Sequence, residues 1–459
     1  MADTTFVDGT TIEPVWLNAI NRFVYDAPDQ TDPSKGDALI GVKRTETGST
    51  ATTLHEWIQR QIVTVADFGA VGDGITDDTV AIQAALNSGA KIVRFNPGIY
   101  VTGALIAPSW IELVGAQYQI GIGGTGQAVA LKFPQTSGVG ITCGDNCVIR
   151  NIQLINTGGT YNDGTATLSG TTARGVSFST NITLEEVTFT NWATCVEFGT
   201  SSYYVKTSRV EFNRCTYGYK VNGGTPYNVH IDAPISRLTE VFITGDATYK
   251  PRNIKVIGGS IEGYSKVANN FTDIAFFGTY FETASPRTGC YAIEMSTGGS
   301  VALYGCLIYM NQTDRFINAS GLTGVGISSG GNIFDGVAPA SAVCFYLPDS
   351  GSVELSGDRF GTGHPNSALY VHSIATALNF SIIMPELPSG NLQAGYSSMN
   401  FIGSRGFTMK LLTTAPTTTV TGMTVLADGT SWDPLTRAAG RPYWVTWQGD
   451  RWRTPGGLT

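Results

Sequence analysis

Two glutamates, Glu262 and Glu282, stand twenty residues apart, and each closes the same phrase of alternating apolar residues, a glycine and an apolar–acid pair. Ile254, Val256, Gly258 and Ile261 precede the first; Ile274, Phe276, Gly278 and Phe281 precede the second. Side chains along a strand face opposite sides in turn, so inward Ile261 and Phe281 send both glutamates to solvent. If twenty residues make one turn of a coil, the carboxylates sit on neighbouring rungs about 4.7–4.9 Å apart. Paired carboxylates cleave glycosidic bonds, at about 5–5.5 Å with retention and about 6.5–9.5 Å with inversion. Their mutual repulsion also raises one pKa, which supplies an acid and a base together. Glu282 is therefore read as general acid and Glu262 as nucleophile or base. Tyr264, Tyr280 and Lys266 lie in the same coils, and tyrosine rings give sugars a stacking surface with a polar tip. Asp273 and Arg252 complete the expected substrate-binding set as hydrogen-bonding groups for hydroxyls or acids. The plainer alternative is a solvated acidic stack. Asp232, Glu240, Asp246 and Glu211 are the reserve acids. An elimination mechanism would instead need a base such as Tyr264, His230 or Lys266, with an arginine for a uronate; His230 alternates with Val229 and Ile231 and is expected to be exposed.

The elements that must position these residues repeat along the chain. Val301, Leu303, Gly305 and Ile308 keep the spacing, as do Val353, Leu355, Gly357 and Phe360. Upstream, Ile182, Leu184, Val187 and Phe189 match Val205, Thr207, Val210 and Phe212 at an offset of 23, so the coil length drifts. Alternation predicts strands, the glycine a corner, and the period a solenoid. Leucine-rich repeats and propellers hold their period more strictly, whereas a right-handed parallel β-helix lets corner loops swell. The expected fold is all-β: such a helix with an N-terminal capping helix and a small C-terminal β module.

The capping helix is read over Asp78–Leu86, with Thr76 or Asp77 as its cap and Ala81, Ile82, Ala85 and Leu86 as its buried face. It would plug the open end of the first coil. The 459 residues carry 56 glycines, 14% charged residues and a net charge of −8, which disfavours nucleic acid as a partner. No apolar run approaches the roughly 20 residues of a membrane span, and the start lacks a basic-then-apolar export signal, so synthesis in a cytoplasm without membrane insertion is expected. Seven cysteines, odd in number, are read as reduced packing residues; Cys143 and Cys147 alone are weak evidence for zinc. No cofactor and no metal is expected.

The run from Asp67 to Leu86, DFGAVGDGITDDTVAIQAAL, followed by Asn96-Pro97-Gly98-Ile99-Tyr100, closely resembles the opening of the pectate-lyase-like β-helix superfamily. That superfamily includes plant-cell-wall hydrolases and lyases and bacteriophage tailspikes. The resemblance is strong over 63–115 and reaches about 380 as a pattern. Residues Ile12–Val24 look like the virion-attachment end of phage tail proteins, and the text from Thr424 to Arg453 is similar to endings of tail fibres and tailspikes. Together these imply a homotrimeric tailspike that binds, and often cleaves, bacterial surface polysaccharide. The chain departs from the plant-polymer enzymes. Tyr161-Asn162-Asp163-Gly164 and Gly363-His364-Pro365 do not reproduce the polygalacturonase motifs, and Asp77-Asp78 belongs to the cap.

The organisation expected is a virion-attachment segment over 1–62, the β-helix over 63–385, and a β-rich module over 386–459 that clamps an oligomer. The attachment segment would dock on a phage tail or baseplate protein, with Trp16 and Trp57 as anchors. A stripe of Ile257, Phe277 and Tyr304 suggests the trimer contact. The function implied is a virion-tail depolymerase made in the host cytoplasm and acting at the bacterial surface on capsule or O-antigen, by hydrolysis. The alternatives are a receptor-binding tail protein without catalysis and a polysaccharide lyase.

Overall fold

A computed structural model describes most of residues 62–360, apart from several loop stretches, and short segments on either side, among them 41–42, 51–53, 367–370, 377–383, 399–401, 424–427, 443–447 and 451–453. Residues 1–40, and with them Trp16, lie outside the described set, as do Trp57, His364 and His372.

The chain winds as a right-handed parallel β-helix with three faces. The first is a sheet running from Ile62–Thr64 through Ile92–Phe95, Ile182–Glu185, Arg252–Ile257 and Asp273–Phe277 to Met399–Phe401. A second long sheet folds around the other two sides. Its second-face column includes Gln153–Asn156, Glu211–Asn213, Tyr280–Thr283 and Leu307–Met310. Its third-face column includes Val139–Cys143, Arg174–Phe178, Tyr217–Val221 and Tyr291–Glu294. The long strands Ile235–Thr244 and Ser260–Asn269 turn the edge between these two columns, with register shifts on either side of the Thr239–Gly263 pair.

The repeat fixes the register. Ile254 pairs with Ile274, Val256 with Phe276, Ile261 with Phe281 and Glu262 with Glu282. Ile182 likewise pairs with Val205 and Phe189 with Phe212 across the longer offset. Inward side chains stack rung upon rung. Phe276 and Phe281 meet edge to face at 5.0 Å, and Phe281, Phe316, Phe334 and Phe345 continue the column at 5.2–6.0 Å. Such aromatic contacts add roughly 0.5–1.5 kcal/mol each beyond burial. The corner glycine is needed for its backbone: Gly258, Gly278 and Gly305 have φ of 61–64° with open space where a Cβ would sit. Conformation, not crowding, selects glycine there.

Beneath this corner lies a polar interior column. Asn332 donates to the Leu303 carbonyl and to Asp358 Oδ1 (3.0 and 2.9 Å), accepts from the Cys306 amide, and is itself fully buried. Asp358 also accepts from Ser329 Oγ at 2.6 Å, and burial pushes its carboxyl above the usual range.

The cap helix runs Thr79–Leu86, one residue shorter than expected, because Asp78 is its N-cap. Asp77, not Thr76, serves the first turn: its carboxylate accepts from the Thr79 amide at 3.0 Å. Asp78 turns away from the helix and accepts from the Val71 and Gly72 amides at 2.7 and 3.1 Å, tying down the glycine loop. Ile82, Ala85 and Leu86 are buried as read, and Ala81 is partly so. At the far end, Tyr443–Trp447 pairs antiparallel with Thr424–Ala427 and with Trp452–Arg453 in a small separate sheet. Among the described cysteines, Cys143, Cys147, Cys195, Cys215 and Cys306 are buried free thiols.

Candidate active site

On the second face, inward Phe212, Ile261, Phe281 and Ile308 hold the strands, and the residues between them point outward. One outward line runs from Asn213 and Arg237 to Glu262, Glu282, Tyr309 and Asp335. A parallel line runs Glu211, Ile235, Ser260, Tyr280 and Leu307. Glu262 and Glu282 are therefore in register on adjacent rungs, half-buried, at the rung spacing of about 4.8 Å for their backbones.

Each glutamate is held by a hydroxyl two residues before it. Ser260 Oγ donates to Glu262 Oε1 at 2.8 Å, and the Tyr280 hydroxyl donates to Glu282 Oε2 at 3.1 Å. Alternation explains the pairing, since residues two apart share a face. Burial, then the neighbouring charge of Glu282 and its hydrogen bond, then Glu262 and Tyr309, push the Tyr280 phenol up to about 12. Tyr280 is thus a proton donor through the neutral range, anchoring one carboxylate oxygen.

Glu211 joins the cluster, although its sequence gave it only a reserve place. It is 5% exposed, and burial first, with Glu262 adding, raises its carboxyl above the usual range against the pull of Arg237. Arg237 stands one rung before Glu262, and its Nε is buried with no hydrogen-bond partner among the described residues. A hairpin of Thr160–Asn162 and Thr167–Ser169 leans over this end: the Tyr161 hydroxyl donates to the Leu238 carbonyl at 3.1 Å, and Arg214 lies 5.7 Å over the Tyr161 ring. The signal for Glu211 in the sequence was its alternation with inward Phe212. The groups that set its charge, Arg237 and Glu262, are distant in sequence.

The other expected residues are distributed differently. Lys266 lies beyond the bend, on the third face, and pairs with Glu294 rather than with the glutamates. Tyr264 is in the strand between them, but its side chain lies outside the described residues. Arg252 and Asp273 are on the first face: Arg252 is over the Tyr227 ring, and Asp273 accepts from Ser300 Oγ at 2.8 Å. His230 and Asp232 share that face and are exposed. One coil visits three faces, so nearness in sequence did not mean a shared face.

A cap of this kind on a drifting three-faced coil makes a right-handed parallel β-helix, and residues 62–130 match the family model described as rhamnogalacturonase A/epimerase, pectate lyase-like. Within that class the chain resembles phage tailspikes. It is 30% identical over 116 residues to the tail spike protein of Shigella phage Sf6, and 32% identical over 102 residues to a glucan 1,3-beta-glucosidase of Cochliobolus carbonum. These matches cover 22% and 19% of this chain, and only 18% and 13% of the two relatives. Among solved structures, a tailspike of E. coli bacteriophage HK620 in complex with a pentasaccharide aligns over 84% of this chain and 76% of its own, with a TM-score of 0.50 and 13% identity. The surface adhesin PfbA of Streptococcus pneumoniae aligns over 84% and 100%, with a TM-score of 0.50 and 15% identity. At such identities the structural likeness speaks to the fold.

Proposed function

We propose that this chain is a phage tailspike that binds and hydrolyses a bacterial surface polysaccharide, capsule or O-antigen, at the Glu262–Glu282 pair. The observation that carries the reading is the register of the two glutamates on one rigid face, each fixed by its own hydroxyl. Rigid placement is what acid–base catalysis needs. Glu262 attacks the anomeric carbon while the protonated Glu282 gives its proton to the departing glycosidic oxygen. Glu282, now a carboxylate, then takes a proton from water, and that water displaces Glu262 from the sugar. The rung spacing of about 4.8 Å suits this double displacement, whose carboxylates lie about 5–5.5 Å apart. Tyr280 positions Glu282.

Hydrolysis is favoured over elimination by the state of the available bases. Tyr280 is held protonated, Lys266 is engaged by Glu294, and His230 is on another face. A second hydrolytic reading rests on Glu211, whose raised carboxyl two rungs before Glu262 would serve as acid for inversion, where carboxylates lie about 6.5–9.5 Å apart.

Residues 1–62 would attach the protein to a phage tail or baseplate protein. The β-helix over 63–385 would carry the substrate, and residues 386–459 would clamp a homotrimer. Exposed Ile257, Phe277 and Tyr304, with the last two stacked at 5.6 Å, support an apolar subunit contact along the corner of the first face. The virion tail would then be the site of action, at the bacterial surface.

The test is digestion of a cognate polysaccharide with the anomeric configuration of the first product read by NMR. Retention supports Glu262 with Glu282; inversion moves the acid to Glu211. An unsaturated uronate in the product overturns hydrolysis, and binding without any cleavage leaves a receptor-binding protein.

A further inference from the structure

The first face carries a second ladder whose chemistry is opposite to that of the glutamates. Lys206, His230 and Lys255 are in register on three successive rungs, and all three are exposed. Lys206 and Lys255 are thus about 9–10 Å apart at the backbone, in a protein whose net charge is −8. Beside this ladder, where the strands begin, Tyr203 and Tyr227 stack with ring centres 6.4 Å apart and planes 13° apart. Their exposures are 54% and 38%. Arg252 pairs in register with Tyr227 and places its guanidinium 5.7 Å over that ring. The facing carboxylates are Asp232, one outward position along from His230, which accepts from Ser208 Oγ at 3.1 Å, and Asp273 on the rung after Lys255, which accepts from Ser300 Oγ at 2.8 Å. The carboxylates of the rung before, Glu185 and Glu186, are taken by Arg150 and Arg209.

Lys206 and Lys255 hold two exposed positive charges two rungs apart on one outward line, and exposed flat rings gain nothing from water. Both features are matched by a ligand that is an extended chain, has flat faces for the tyrosines, and carries a negative charge at each repeat. We infer that this face is a second glycan site, which holds an acidic polysaccharide by stacking on Tyr203 and Tyr227 and by pairing its carboxylates with Lys206, Lys255 and Arg252. Nucleic acid fits less well, because only one short row of cations is present and the protein is acidic overall. The site rests on the tailspike reading only for the natural source of the glycan; it uses neither glutamate and makes or breaks no bond.

The experiment is affinity electrophoresis of the full chain carrying Glu282→Gln through gels containing sodium polygalacturonate, dextran or neither. Polygalacturonate should retard the protein, less so as salt is raised, and dextran should not. The double variant Lys206→Glu/Lys255→Glu in the same background should lose at least about tenfold in apparent affinity, and Tyr227→Ala about tenfold. These side chains are exposed, and an unchanged melting temperature checks that the fold is kept. Equal retardation by dextran, no retardation by polygalacturonate, or unchanged retardation of the double variant overturns the site. Failure of the cleavage reading looks different: full cleavage by Glu282→Gln on cognate polymer, with retardation by polygalacturonate intact.

Discussion

The first and second faces of this helix are wound from the same coils and share one interior, yet each carries a short outward line of its own chemistry, two glutamates on the second and two lysines on the first. On the second face, two acids stand rung upon rung, each with a hydroxyl bound to one oxygen. On the first, Lys206 and Lys255 stand two rungs apart, with His230 between them, beside stacked rings. The difference lies mainly in outward residues, since most inward ones on both faces are Val, Ile, Leu and Phe, with Thr207 and Ser236 among the buried exceptions. A solenoid can thus carry two unrelated surface chemistries a few residues apart in sequence, because the corner glycine separates them in space.

The largest effect expected tests whether the faces are separable. Phe281→Ala empties the rung beneath Glu282 and should cost about 3–5 kcal/mol, as such core truncations do. In a solenoid each rung depends mainly on its neighbours, so cleavage should vanish while polygalacturonate retardation by Lys206 and Lys255 persists at moderate temperature. Loss of both together would show one cooperative unit and break the comparison.

Next in size, Glu282→Gln should lower kcat by at least about 10²-fold, the scale of a general-acid contribution, with trimer and polysaccharide binding kept. Full activity in that variant would remove Glu282 from the reaction, and full activity in Glu262→Gln as well would move the search to Glu211, Asp232, Glu240 and Asp246. Tyr280→Phe is milder. It removes a hydrogen bond that strengthens as Glu282 becomes a carboxylate on giving up its proton, a charged-group bond worth roughly 1.5–3 kcal/mol, and should lower kcat by about tenfold or more with KM little changed. Because the phenol sits at about 12, no kinetic step below pH 10 should be traceable to its ionisation. A wild-type activity limb near neutrality that disappears in Tyr280→Phe would contradict this.

The smallest effect is a control in the shared interior. The carboxyl of Asp358 is raised in the folded chain by burial. Its contribution to stability is therefore fully present below the ordinary unfolded value of about 3.9 and is lost as pH rises through the folded value. Asp358→Asn keeps an acceptor for Asn332 and offers a donor to Ser329, without the buried charge. Its melting temperature relative to the natural protein should rise between pH 4 and 7, by a few degrees at most, with both faces unaltered. A variant that falls behind as pH rises would reverse the sign and the argument.

The register of this molecule was legible before its structure, and the grouping of its surface residues was not. Alternation with a corner glycine places Glu262 over Glu282, since both signals are local and one slipped residue would turn the inward row out. The cap role of Asp77 and Asp78 was readable for the same reason, although which aspartate serves the helix and which the glycine loop was not. Arg252, Asp273 and Lys266 were placed with the glutamates because they lie in the same coils. Their separation depends on where each strand turns an edge, and Ser260–Asn269 turns one inside a single unbroken strand, at Gly263, with none of the glycine spacing that marks the other corners. Glu211 stays a reserve acid in the sequence because its raised carboxyl depends on burial and on Glu262, fifty-one residues later in the chain.

One contact in the cap has a consequence for how such rods live in solution. The amide of Gln83 reaches the backbone of Ile106 with both its atoms, donating to the carbonyl and accepting from the N–H at 2.9 Å each, while Thr79 Oγ1 accepts from Gly103 at 2.7 Å. A single side chain thus occupies the place a further strand would take. Without it, the first turn would offer an open row of donors and acceptors, the template on which another rod adds its own end. Gln83→Ala should therefore betray itself less by melting than by filament growth, seen as light scattering that climbs with protein concentration. On this reading the glutamine would act as a stopper on the edge of Leu105–Ala107.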